Sequence, residues 1–259
     1  MWRAGMPESG HTLMHKFDAK VNLFSSNGIS IKRPEFYNDS KFLELERHNP
    51  TILEDYAEYV NLRPRNGEYE EYTRSVIEIA GEILYQELIK DASPGRCADV
   101  AGTLLKIIER FGIWAYIING SLRIDFPPGS PQRSVYFWVV DVAMEGGKFG
   151  HAWLVAPPFI VIDLTVRQQG MASWANKLAA GSISGIQSRE VRFLATFPAS
   201  KIGFQSVGLY YVPYSIRIPD GRLEDYRTWK WSGRYALELF NNVIEPAVIR
   251  AGLPPTSPD

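Results

Sequence analysis

Apolar residues recur at the spacing of one helix face in two adjacent stretches of the first half of the chain. The first stretch carries Val76, Ile77, Ala80, Ile83, Leu84 and Leu88. It predicts a helix over about 70–90 that ends before the breaker residues at 93–95. The second stretch carries Val100, Leu104, Ile107 and Ile108. It predicts a helix that runs to about Phe111 and is ended by Gly112.

A shorter helix is predicted from Asn49 to about Tyr59, with Asn49 as its cap and Pro50 in its first turn. After Gly112 the pattern changes to short apolar runs separated by Gly and Pro. The strands predicted from these runs are 114–118, 122–126, 135–142, 151–155, 159–162, 192–196 and 208–218. A closing helix is expected over about 226–251, interrupted near Pro246. Helices, then strands, then a helix predict an α+β fold with an antiparallel sheet.

The first 48 residues differ from the rest of the chain because Gly, Ser, Asn and Pro are frequent in them. We expect a loosely ordered N-terminal arm over 1–48, with short strands at 21–24 and 29–31. One domain is expected over 49–253. The last residues, 254–259, are expected to form a disordered tail.

Charge and hydropathy restrict the possible partners. The 259 residues include 28 basic and 29 acidic side chains, for a net charge of -1. This balance argues against general binding to nucleic acid or to an anionic membrane. No apolar stretch approaches the ~20 residues of a membrane span, and no signal segment is evident. We therefore expect a cytoplasmic protein, with signal-independent secretion left open.

Cys97 is the only cysteine of the chain. An intramolecular disulfide is therefore impossible, and a zinc site lacks its usual ligands, so we expect no metal and no cofactor. Cys97 lies at the start of the second predicted helix. The dipole of a helix favours the reactive thiolate there, and the N–H groups of its first turn can stabilise an oxyanion. This position makes Cys97 a candidate nucleophile, although a lone cysteine is commonly a small buried core residue.

Two further residues complete a candidate catalytic set. His151 opens a predicted strand, where an imidazole can act as general base and then general acid for a thiol. Asp163 closes the next strand, and its carboxylate can accept the Nδ1–H of His151 and orient the ring. Taken alone, Asp163 is better explained as a residue that caps the turn before Thr165. Trp153 is expected to pack against the sheet.

The motifs around these residues resemble the transglutaminase-like superfamily. The resemblance covers about 95–169 and rests on Gly-Arg-Cys-Ala-Asp-Val-Ala at 95–101, His-Ala-Trp at 151–153, Ile-Asp-Leu-Thr at 162–165, and the glycines Gly112 and Gly120. It implies a papain-like arrangement, in which a Cys-bearing helix packs on an antiparallel sheet that carries the histidine and the aspartate. It also implies that Cys97 is the nucleophile, His151 the base and Asp163 the orienting residue. A second oxyanion donor is implied upstream, where Tyr85 and Gln86 are candidates.

The resemblance implies acyl transfer on amide bonds by a thiol. The substrate would be a protein or peptide that presents a glutamine side chain or a peptide amide, as for a glutamine deamidase, a transglutaminase or a cysteine peptidase. The sequence Gly-Ser-Cys-Trp of ordinary papain-type peptidases is absent. Two alternatives stay open: an enzyme like the arylamine N-acetyltransferases, which use the same Cys-His-Asp order, and a non-catalytic binding module on the same scaffold. The oligomeric state is also left open.

Overall fold

The computed structural model of the chain describes residues 10–91, 97–124, 135–137, 150–165, 202–204, 209–218, 223 and 236–256. The helices before the sheet are α1 (Gly10–Ser26), α2 (Ser40–His48), α3 (Ile52–Leu62), α4 (Gly67–Asp91) and α5 (Cys97–Arg110). A short 3₁₀ helix, Pro34–Asn38, precedes α2. The last helical segment is α6 (Ala236–Leu239), a π-helical turn (Phe240–Ile244) and α7 (Glu245–Arg250).

The described strands form one sheet. They are β1 (Tyr116–Ile124), β2 (Val135–Phe137), β3 (His151–Ala156), β4 (Phe159–Ile162), β5 (Ile202–Phe204) and β6 (Leu209–Arg217). The order across the sheet is β4-β3-β1-β6-β5, and β2 also pairs with β1. β1 runs antiparallel to β2 and β6, and β3–β4 and β5–β6 are antiparallel pairs. The register of β1 with β6 shifts between Asn119 and Gly120.

The chain divides into two compact units. The first consists of Met1–Ala80, Leu105–Tyr116 and Ile218–Asp259, and the second of Gly81–Leu104 and Ile117–Arg217. The first unit has an aromatic core in which the rings of Phe24, Phe36, Phe42 and Tyr59 are buried and meet mostly edge to face. Such edge-to-face pairs add stability beyond the area that they bury.

The second unit contains the sheet and the first half of α5. Val100, Ala101 and Leu104 of α5 and Ala152 of β3 line the same small depression, together with residues at the end of β4. The helix thus presents its apolar face to the sheet, as the spacing of these residues predicts. Trp153 and Tyr211 are fully buried in this unit, and their rings meet at a centroid distance of 5.1 Å.

The α+β class predicted from the sequence is confirmed, because helices pack on a small antiparallel sheet. The two long predicted helices are present as α4 and α5, and Gly112 follows α5 with a φ of 74° that favours glycine. Asn49 lies before α3 instead of capping it: its Oδ1 accepts hydrogen bonds from the backbone N–H and the hydroxyl of Thr51.

Several local predictions are wrong. The strands expected at 21–24 and 29–31 are absent, since 21–24 belong to α1 and 29–31 lie in the connection after it. Residues 10–48 contain α1 and α2 instead of a loose arm, because Phe24 and Phe42 insert into the aromatic core and hold both helices. The strands expected at 114–118 and 122–126 form one strand, β1, and β5 was not predicted.

Some predictions concern residues that the structure does not describe, and one concerns the C-terminal tail. Outside the described residues lie the strand expected at 192–196, residues 125–126 and 138–142 of two other expected strands, residues 226–235 of the closing helix, and residues 257–259 of the tail. Pro254, the first residue of the expected tail, accepts a hydrogen bond at its carbonyl from the Tyr72 hydroxyl, at 3.1 Å. Among the described residues, no helix is both long enough and apolar enough to cross a membrane.

Candidate active site

Cys97 is the first residue of α5, in the second unit. Its side chain is half-buried and lines the depression between α5 and the strands β3 and β4. The thiol is hydrogen-bonded to the His151 side chain and to the backbone N–H of Ala152. A thiol at this position also receives the favourable dipole of the helix N-terminus.

His151, the first residue of β3, is the group that links the site. Its Nε2 lies 2.6 Å from Oδ2 of Asp163, and its side chain is also hydrogen-bonded to Cys97. Both His151 and Asp163 are buried, with 2% and 3% of their surface exposed. The structure therefore brings together all three residues that the sequence singled out. The ring nitrogen differs from the expectation: Asp163 binds Nε2, not Nδ1, which leaves Nδ1 as the ring nitrogen for the thiol.

Asp163 follows β4 directly and is held from three sides. Its Oδ1 accepts hydrogen bonds from the backbone N–H and the hydroxyl of Thr165, at 2.8 and 2.9 Å. Its Oδ2 accepts one from the Tyr211 hydroxyl at 2.8 Å, in addition to the one from His151. The turn-capping role and the histidine-orienting role considered for Asp163 are thus filled together, one by each carboxylate oxygen.

The charged groups of the site shift one another's pKa values. Burial raises the pKa of the Cys97 thiol, but the hydrogen bond and charge of His151 and the N–H of Ala152 outweigh it, and the pKa of Cys97 is lowered. Burial lowers the pKa of His151, yet the charge and hydrogen bond of Asp163, together with Cys97, raise it to about 10. At neutral pH these shifts favour an imidazolium between a carboxylate and a thiol that ionises readily.

The carboxylate of Asp163 is stabilised in its charged form. Burial raises its pKa, but the charge and hydrogen bond of His151, followed by the hydrogen bonds of Thr165 and Tyr211, hold the pKa below its usual value. Burial and the neighbouring Asp163 charge raise the pKa of Tyr211 well above its ordinary value. The Tyr211 hydroxyl consequently stays protonated and acts as a donor.

Aromatic rings enclose the imidazole. The ring of Trp153 stacks near His151 with centroids 6.2 Å apart, and those of Tyr211 and Phe137 lie at 5.9 and 6.3 Å. Trp153 in turn packs on Gly120, where an added Cβ would meet Cη2 of the indole at 2.5 Å. Trp153 therefore packs on the sheet as expected, and it also forms one wall around His151.

Neither candidate for a second oxyanion donor lines the depression beside Cys97. Gln86 is exposed and donates a hydrogen bond to Glu82 on its own helix, at 2.8 Å, and Tyr85 is buried along α4. Both residues lie in the interior of the long helix α4. Gly95 and Arg96, which precede the thiol in the sequence motif, lie outside the described residues.

Tyr211 and Thr165 are the functional residues that sequence reasoning missed. Thr165 was visible as part of Asp-x-Thr, in which a short side chain hydrogen-bonds two residues back. Tyr211 is 48 residues from Asp163 in the chain, and no local pattern marks it. Comparison of the chain with protein-family models, curated proteins and solved structures finds no match. The likeness to the transglutaminase-like superfamily accordingly rests on the sequence motifs given above.

Proposed function

We propose that this protein is a thiol acyl-transfer enzyme that acts on amide bonds through Cys97, His151 and Asp163. The observation that carries the proposal is the single imidazole of His151, which hydrogen-bonds both the thiol and the carboxylate. Nucleophile, base and orienting group in this relation are the arrangement that activates a thiol. The papain-like form of the fold, with its Cys-bearing helix on an antiparallel sheet, is part of the same proposal.

In the first step, the Cys97 thiolate attacks the carbonyl carbon of the amide. The carbonyl oxygen becomes an oxyanion, which N–H groups in the first turn of α5 are placed to stabilise, since these groups have no partner within the helix. The His151 imidazolium then gives its proton to the leaving nitrogen, the C–N bond breaks, and ammonia or an amine departs. The products of this step are a thioester on Cys97 and a neutral imidazole.

In the second step, the neutral imidazole accepts a proton from water or from a primary amine that attacks the thioester carbonyl. The C–S bond breaks and the thiolate leaves beside the imidazolium, which restores the starting ion pair. Asp163 keeps the ring oriented throughout, since its own position is fixed by Thr165 and Tyr211. Attack by water gives deamidation or proteolysis, and attack by an amine gives transamidation.

The proposed substrate is a glutamine carboxamide or a peptide amide in a protein or peptide. This part of the proposal rests on the resemblance to the transglutaminase-like superfamily. The half-buried thiol is compatible with it, since a carboxamide on a flexible side chain can reach a narrow depression more easily than a backbone amide can.

The first test measures the reactivity of the thiol. Because Cys97 is the only cysteine, one iodoacetamide adduct in the intact mass reports on this residue alone. We expect rapid alkylation below the ordinary pKa range of a thiol, ~8.5, and a shift of the alkylation profile to higher pH in His151→Gln. His48→Gln is the matched control, since His48 lies on the exposed surface of α2 and should leave the profile unchanged.

The second test identifies the reaction. Incubation with glutamine peptides, with and without a primary amine, should raise the peptide mass by about one dalton on deamidation or add the amine on transfer. Cys97→Ala should abolish turnover, His151→Ala should be nearly as damaging, and Asp163→Asn should be milder but still large. A thiol that alkylates only above its ordinary pKa, together with no turnover of any peptide, would instead identify a binding scaffold.

A further inference from the structure

A second concave site lies in the first unit, independent of Cys97. It is a pocket of about 510 Å³ between the 3₁₀ helix Pro34–Asn38 and the last turns of α5. Its charged lining residues are Lys32, Arg33, Glu35, Asp39, Lys106, Glu109 and Arg110. The volume falls within the ~300–1,000 Å³ of pockets that bind small molecules.

The inner wall of this pocket carries a buried polar network. Lys106 and Glu109 are 3% and 5% exposed, although Lys and Glu are seldom buried unless they are paired. The Lys106 ammonium donates a hydrogen bond to the Tyr37 hydroxyl at 2.8 Å, and that hydroxyl donates one to Glu109 Oε1 at 2.5 Å. The network fixes two opposite charges at the base of a cavity.

The same wall contains an acceptor that is not satisfied. Oε2 of Glu35 is buried, and it has no hydrogen-bond partner among the described residues. Leaving such a group unpaired is unfavourable, so the oxygen is a favourable place for a ligand donor. Glu35 also acts electrostatically on Glu109. Burial is the main cause that raises the pKa of Glu109 to about 7, and the negative charge of Glu35 adds to it. The charge of Lys106 and the hydrogen bond of Tyr37 act in the opposite direction.

The rim of the pocket is mainly cationic. Lys32, Arg33 and Arg110 are exposed where the pocket meets solvent, and these three cationic residues outnumber the half-buried Asp39 of the same lining. A ligand that satisfies both regions carries an N–H donor at its inner end and an anionic group at its outer end. We propose that this pocket binds a small zwitterion, with its ammonium group at Glu35 and Glu109 and its carboxylate at Lys32 and Arg33.

The proposal is tested by titrating the ¹H–¹⁵N NMR spectrum of the full chain with three probes of one chain length. 6-Aminohexanoate carries both charges, whereas hexylamine lacks the carboxylate and hexanoate lacks the amine. We expect saturable shifts at residues of the pocket and an affinity for 6-aminohexanoate about ten-fold or more above that for either analogue, the effect of one charge-assisted hydrogen bond. Absence of saturable shifts, or equal affinity for all three probes, would overturn the proposal.

Two variants assign the two ends of the ligand. Glu35→Gln should weaken the binding of 6-aminohexanoate and hexylamine about ten-fold without loss of thermal stability, because Oε2 of Glu35 makes no hydrogen bond within the described residues that the change would remove. Arg33→Gln, at an exposed position, should weaken 6-aminohexanoate and hexanoate but not hexylamine. Glu44→Gln, exposed on α2 and outside the pocket, is the matched control. Unchanged affinities in both Glu35→Gln and Arg33→Gln would contradict the assignment of this pocket.

Discussion

At the scale of single residues, Asp163 shows how a buried charge is held in place. Its two oxygens accept four hydrogen bonds, from His151, Tyr211 and twice from Thr165. A carboxylate with this many donors stays ionised in a buried site and has little freedom to rotate. The orientation of His151 consequently depends on Thr165 and Tyr211, which hold the carboxylate of Asp163.

Tyr211→Phe tests this dependence. The change removes the donor to Oδ2 and leaves the buried ring in place, so the free energy of unfolding should fall by about 1.5–3 kcal/mol, as for a hydrogen bond to a charged group. The pKa of Asp163 should rise toward its ordinary value, because its charged form loses a donor. Denaturant unfolding and ¹³C titration of the Asp163 carboxyl measure the two effects.

Tyr214→Phe is the control for this prediction. Tyr214 lies on the same strand, β6, and is 58% exposed. Its change should alter the free energy of unfolding by no more than about 0.5 kcal/mol. Equal behaviour of the two variants would mean that the Tyr211 hydroxyl contributes nothing to the charge state of Asp163.

At the scale of elements, the site is assembled from the start of α5, the start of β3 and the end of β4. Cys97 is the first residue of its helix and His151 the first of its strand, while Asp163 directly follows Ile162, the last residue of β4. Because the site residues lie at the ends of these elements, the residues in the interior of each element can pack against the rest of the protein. Hydrophobic periodicity located these three elements from the sequence, and the site residues were recognised by their places at the ends of the elements.

β1 contributes to the site through Gly120, which has no side chain. At Gly120 an added Cβ would meet the carbonyl oxygen of Val212 at 2.3 Å and two carbons of the Trp153 ring at 2.5 and 2.8 Å. These distances are too short for any side chain. The register shift between Asn119 and Gly120 lies at the same point, so the strand irregularity and the close approach of the indole occur together.

Gly120→Ala should therefore destabilise the protein by more than about 1 kcal/mol, the lower range for overpacking a core, and it should slow alkylation of Cys97. Slower alkylation is expected because displacement of Trp153 would remove the ring that packs beside the His151 imidazole. Thermal unfolding and intact-mass alkylation measure the two changes. Gly67→Ala is the matched control, since nothing lies within 4 Å of its added Cβ and it begins α4. A tolerated Gly120→Ala would show that Trp153 can shift without consequence.

At the scale of the whole molecule, the buried ionisable groups predict how stability varies with pH. The pKa of Glu109 is raised from 4.5 to about 7, chiefly by burial. A carboxyl whose pKa is higher in the folded state contributes stability that is present below pH 4.5 and is lost as the pH rises through 7. His151, with a pKa raised from 6.5 to about 10, contributes in the same direction above pH 6.5. The lowered pKa of Cys97 opposes the His151 contribution, because a thiol whose pKa is lower in the folded state contributes stability as the pH rises toward 9.

We therefore expect the free energy of unfolding to fall between pH 4.5 and pH 7, chiefly through Glu109. The part due to Glu109 is on the order of 3 kcal/mol, and Glu109→Gln should remove it while keeping an acceptor for Tyr37. Urea unfolding of both proteins at a series of pH values measures the difference. The exposed Glu44→Gln variant should follow the wild-type curve, and parallel curves for wild type and Glu109→Gln would show that Glu109 titrates normally.

The sequence alone determined the α+β class, the helices α4 and α5, most strands of the sheet, and the three residues of the candidate site. Each of these depends on patterns within a few turns of chain: apolar periodicity, breaker residues, and a single cysteine at a helix start. The helix α1 was missed because the Gly, Ser, Asn and Pro content of the first 48 residues predicted a loose arm, whereas contacts of Phe17 and Phe24 with Tyr59 hold this helix on the aromatic core.

Only the tertiary structure decided which distant side chains meet. Tyr211 reaches Asp163 across 48 residues, and Tyr37 reaches Glu109 across 72. It also decided that Nε2 of His151 faces the carboxylate, and that Lys106 and Glu109 are buried although charged residues on a helix usually face solvent. Such pairings depend on how helices and strands pack, and packing energy is set by surfaces that are far apart in the chain, which no local pattern records.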